Sequence, residues 1–223
     1  MDDDGISRRL SVKRWVLVTV LLYVLASSVL VTAPLILLGG DDRDSIWAFY
    51  GWFLPVLGLI QAALLLIPAK VARERPVARR TALFSALVGA IPMAALLLVF
   101  VYCVLLMLLG EDGVDPFFPT IPTLLGVTAA WIFWGAFFFK GYTPENPEAL
   151  TGRITRWLLR GSILELLVAV PAHIISRQRG ECCAPGLTLF GLATGISVAV
   201  LAFGPGVFFL LARRIGEKRK GRA

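Results

Sequence analysis

From Thr81 to Leu109 the chain runs without one charged side chain, and its second half, Ala94–Leu109, reads AALLLVFVYCVLLMLL. A run of this length is a membrane-span candidate, because roughly 20 apolar residues in a helix cross a hydrocarbon core about 30 Å thick. Inside lipid no water satisfies backbone N–H and C=O groups. A span must therefore bond to itself as a helix or to its neighbours in a closed β-barrel. Barrel strands alternate apolar and polar residues over roughly ten positions. Ala94–Leu109 shows no alternation, so the barrel is rejected.

Five more runs of the same kind lie at about 15–38, 46–68, 120–139, 158–176 and 186–212. With 81–109 they predict an all-α integral membrane protein, a polytopic bundle of about six transmembrane helices. The transmembrane domain is expected over 15–212, with basic segments at 1–14 and 213–223. Composition agrees. Of 223 residues 57% are hydrophobic and 17% charged, against about 45–50% apolar and about 25% charged in a soluble domain. Arg8 and Arg9 precede the first run without the aromatic residue that follows the pair in a twin-arginine export signal, and no small-residue cleavage site is evident. The first span is expected to stay uncleaved.

The formal net charge is +7, and nineteen of the 22 Lys and Arg fall in four places. These are the N-terminal segment, the connection at 70–80, the segment at 140–160 and the tail. The other connections hold only Arg43, Arg177 and Arg179, among acidic residues. By the positive-inside rule this alternation predicts an even number of spans, with both termini cytoplasmic in a multi-pass protein of the cell membrane. The basic inner rim is expected to meet anionic lipid headgroups. No basic stretch is interleaved with aromatics as a single-strand binder requires, so nucleic acid is not an expected partner.

Few residues inside this apolar chain can carry chemistry. Glu165 lies in span five, where an ionisable group costs about 2.5–3.5 kcal/mol on insertion scales and normally faces the bundle interior or a water-filled cavity. His173, the sole histidine, lies eight residues further on, about 12 Å of rise and about 80° of rotation away. The two are candidate cavity-lining groups. Cys182 and Cys183 stand in the outer connection before span six, and Cys103 lies about two turns from the outer end of span three. With His173 they form a candidate soft-metal cluster for zinc or copper, since thiolate and imidazole are preferred donors. The competing reading is a disulfide from Cys103 to Cys182 or Cys183, which an oxidising exterior permits.

Gly191 and Gly195 form a small-xxx-small pattern that lets helices approach closely, and this face is a candidate contact in a homo-oligomer. Gly204-Pro205-Gly206 should kink or break span six. Asn146-Pro147-Glu148 is a helix-start signal, so span five is expected to begin on the cytoplasmic side near Pro147. Arg153, Arg156 and Arg160 share one face there and are expected to reach for headgroups. The connection at 115–122 is rich in proline and phenylalanine, and its rings are expected at the outer interface.

There is no P-loop, GxGxxG, HExxH, CxxC or GxSxG, and no catalytic residue is assigned. The leading expectation is a small transporter or ion- or metal-binding membrane protein, with a polar site at the outer ends of spans three, five and six. The alternatives are a non-catalytic assembly or scaffold subunit and a membrane thiol-redox enzyme.

Overall fold

The computed structural model describes residues 3–39, 47, 49–71, 76–114, 120–180 and 184–220, with side chains over 14–33, 47, 49–71, 76–114, 120–180 and 186–211. Every regular element among them is helical. The order is α1 (Asp3–Gly39), a π-helical turn (Phe49–Phe53), α2 (Leu54–Leu64), α3 (Leu66–Val71), α4 (Arg79–Leu109), α5 (Glu111–Val114), α6 (Ile121–Phe139), α7 (Glu148–Arg179) and α8 (Ala184–Lys220). Six helical stretches are long and apolar enough to cross a membrane: Arg14–Ala33, Phe49–Val71, Arg79–Leu109, Ile121–Phe139, Glu148–Arg179 and Gly186–Leu211. The chain is a polytopic helical membrane protein. The connections at 115–119 and 181–183, and with them Cys182 and Cys183, lie outside the described residues.

Proline shapes the second span. Pro55 has no N–H, which removes the donor that an α-helix would offer the Gly51 carbonyl. The chain enters this span through the wider π-helical turn just before it. Pro68 likewise takes away the donor for the Leu64 carbonyl, and α2 hands over to α3 at Leu65, whose N–H bonds Gln61 O at 3.1 Å. Elsewhere the helices run through their prolines, at Pro92 in α4, Pro171 in α7 and Pro205 in α8. The Gly204-Pro205-Gly206 triplet therefore does not break α8. Span five is longer than its apolar run, because α7 starts at Glu148, where Ala149 N–H donates to Asn146 Oδ1 at 3.3 Å. It stops at Gly180, whose left-handed φ of 70° turns the chain out of the helix.

The last helix is central. α8 packs along α7 on one side and α1 on the other, and α4 packs between α6 and α7. α2 fills the space between α1, α4 and α8. α6 is peripheral and buries only Gly135 and Phe138. The indole of Trp131 fastens it by donating to Leu87 O at 2.9 Å, and the Tyr142 hydroxyl beyond its end donates to Val77 O at 2.6 Å.

Two main apolar clusters stack along the bundle. The one toward the basic rim includes Leu64, Ala82, Ala86, Phe138, Ile154, Leu158 and Leu201. The other includes Val31, Phe49, Leu54, Cys103, Ala169, Leu189 and Leu192. The outside is as apolar as the inside: Leu25, Leu124, Leu167 and Leu210 stand exposed. A soluble protein rarely exposes contiguous apolar surface on that scale, and lipid is the solvent that accepts it.

Candidate functional site

The buried face of α7 is unusually polar for a membrane helix. It carries Ser162, Glu165, His173 and Ser176, interleaved with Ala169 and Ala172. The serines satisfy themselves on the helix backbone. Ser162 Oγ donates to Leu158 O at 2.8 Å, and Ser176 Oγ donates to His173 O at 3.1 Å. His173 is 2% exposed and shares a hydrogen bond between Nδ1 and Thr188 Oγ1 of α8 at 2.9 Å. That bond fixes the antiparallel register of α7 against α8. The same register brings Glu165 opposite Gly195.

Glu165 is 1% exposed, and neither carboxyl oxygen has a hydrogen-bond partner. It lies against the backbone of α8 between two glycines. A Cβ built on Gly195 would collide with Glu165 Oε2 and come within 2.8 Å of Leu166. A Cβ on Gly191 would stand 3.5 Å from Glu165 Oε1 and 2.7 Å from Val99 of α4. The small-xxx-small pattern is therefore a socket for a carboxyl group within one chain. Gly191 and Gly195 are buried. The face expected to meet a second copy is turned inward and already covered.

The remaining expected residues are placed as follows. Cys103 is a fully buried thiol on α4 with no disulfide partner among the described residues, packed in the cluster of Ala169, Ala172 and Leu192 and within electrostatic reach of Glu165. Glu165 and His173 share one face of α7 with Ala169 and Ala172 between them, and Glu165 is enclosed by protein. Among the described residues no group of three or more His, Cys, Asp or Glu side chains is arranged to hold a metal ion. The Cys182 and Cys183 part of the soft-metal set, and either disulfide to Cys103, fall outside the described residues.

Sequence reasoning passed over Gln61. It is 0% exposed in α2, and neither its amide nitrogen nor its amide oxygen has a partner. The amide sits on the opposite side of α8, where a Cβ on Gly204 would overlap it. The Glu165 carboxyl and the Gln61 amide thus both fit glycines of the same helix. The signal was present as a polar residue in one span at the depth of a glycine in another. The Gly-Pro-Gly context disguised it as a kink.

Replacing Gln61 by Leu is expected to raise stability, by about 1–3 kcal/mol, because it removes two unpaired polar atoms at little change in shape. Unfolding of the purified protein by SDS in mixed micelles measures this. A loss of stability would show that the amide is satisfied.

No protein-family model matches the sequence, and comparison with the curated proteins and with the solved structures finds no match.

Proposed function

We propose that the chain is a small proton-coupled membrane transporter in which Glu165 takes up and releases the proton. The observation that carries this reading is a carboxyl group buried at 1% exposure, without a hydrogen-bond partner, inside a lipid-embedded helix pair. In its ionised form such a group is strongly disfavoured. A leucine or methionine would fill the space at lower cost, so packing alone does not account for it.

The nature of the coupled ion follows from the surroundings. A sodium, calcium or magnesium ion needs several oxygen ligands. Gly191 and Gly195 offer the carboxyl no side-chain oxygen, and among the described residues no group of three or more His, Cys, Asp or Glu is arranged to hold a metal ion. A proton needs only the carboxyl itself. His173, about 12 Å further along the face, is a second group able to exchange a proton on the route outward. The enclosed arrangement corresponds to an occluded state. Opening requires α7 and α8 to part, and Ala169, Ala172, Gly191 and Gly195 place small residues on the packed faces of these two helices.

The Lys and Arg distribution supports a cell-membrane protein with both termini cytoplasmic, which puts the His173 end outside. Reconstituted vesicles with a trapped pH indicator test the proposal. Under an imposed potassium diffusion potential, and with gradients of small solutes, the protein is expected to change internal pH well above the protein-free rate. Equality with protein-free vesicles under every gradient would overturn it.

A further inference from the structure

At the basic rim, three arginines of α7 surround a polar cavity of about 240 Å³ lined by Phe137, Arg153, Arg156, Trp157 and Arg160. Their partners are rings and carbonyl groups. The Arg153 guanidinium lies 5.5 Å from the Phe137 ring centroid and donates through Nη1 to Phe137 O at 3.3 Å. Arg156 Nε donates to Gly152 O at 3.1 Å, and the Arg160 guanidinium lies 5.6 Å from the Trp157 ring centroid. Among the described residues no carboxylate pairs with any of the three. Three like charges within about 10 Å of helix rise repel one another, and an anion between them relieves that repulsion.

This cavity does not end in the rim. A second cavity of about 190 Å³ opens next to it, and Trp157 and Arg160 line both. Its other walls are apolar and include Met93, Leu97, Phe100, Trp134 and Leu164. It runs along α4 and α7 away from the rim, toward the hydrocarbon core. The order is a cationic mouth at headgroup depth, then an apolar shaft at chain depth.

We infer that this paired cavity is a binding site for one anionic glycerophospholipid, with its phosphate on Arg153, Arg156 and Arg160 and the upper part of one acyl chain in the shaft. Charge complementarity selects the headgroup, because arginine binds phosphate through paired N–H groups. The apolar shaft selects a lipid over free phosphate. The site is separate from the Glu165 socket, which lies on the α8 side of α7.

Native mass spectrometry of the full-length protein, titrated with phosphatidylglycerol or phosphatidylcholine in detergent, tests this. One equivalent of phosphatidylglycerol is expected to stay bound under conditions that strip phosphatidylcholine. Arg156→Gln alone should lower its occupancy severalfold, and the triple change Arg153→Gln, Arg156→Gln and Arg160→Gln at least tenfold. Arg79→Gln with Arg80→Gln, on the same rim but outside the cavity, should change it less than twofold. Leu164→Trp, at an exposed position, fills the shaft while leaving all three arginines in place, and should also lower retention severalfold. Equal retention of both lipids, or undiminished binding in either the arginine variants or Leu164→Trp, would overturn the inference. Displacement of the lipid by millimolar inorganic phosphate would do the same, and would assign the arginines to a soluble anion.

Discussion

Glu165→Gln is expected to reduce proton flux in reconstituted vesicles to the protein-free level while the protein stays folded. The two side chains have nearly the same shape, so glutamine fills the space between Gly191 and Gly195 that the carboxyl fills now. The amide does not release a proton at any accessible pH, so the carrier is lost while the packing is kept. Stability should move by no more than about 1 kcal/mol, since one unpaired polar group replaces another. Glu165→Asp tests position against chemistry. It keeps the acid but withdraws it by one methylene from the α8 backbone, and should retain measurable flux. Undiminished flux in Glu165→Gln would remove the carboxyl from the pathway.

Gly195→Leu is expected to be strongly destabilising. The first carbon of any side chain at 195 meets the Glu165 carboxyl and Leu166, and the remaining three carbons have nowhere to go unless α7 and α8 separate. Overpacking in a well-packed core costs typically about 1–3 kcal/mol, and more where backbone must move. Gly195→Ala should show a smaller loss of the same origin. Combining it with Glu165→Ala should remove most of that loss, a coupling of about 0.5–3 kcal/mol between touching residues. Gly206→Ala is the control. A Cβ there meets nothing within 4 Å, so the change should be neutral or gain up to about 1 kcal/mol of helix propensity. SDS unfolding midpoints of these four variants and of Glu165→Ala alone decide the matter. If Gly195→Ala behaves like Gly206→Ala, the socket does not exist as described.

The architecture was legible because hydrocarbon imposes it. An uncharged run such as Thr81–Leu109 has few alternatives to a helix once water is removed, and the start of α7 could be read from Asn146 and Pro147. What the sequence did not reveal is which face of each helix turns inward. In water an apolar stripe marks the buried side. Here Leu167 faces lipid and Leu158 faces protein with the same chemistry, so hydropathy carries no direction. Only small and polar residues break the tie, and they do so in pairs across helices. Glu165 could be singled out alone, but its match to Gly195 needs the register that the His173–Thr188 bond sets. Gly191 and Gly195 read as an external contact in the sequence for the same reason.

The order of the helices along the chain gives the two sockets a consequence in biogenesis. Translation delivers α2 and α7 before α8, the helix whose glycines receive Gln61 and Glu165. Until that helix arrives, both polar groups must find shelter in a half-built bundle or in whatever escorts it into the bilayer. Arrival of α8 and concealment of these two polar groups are therefore one event.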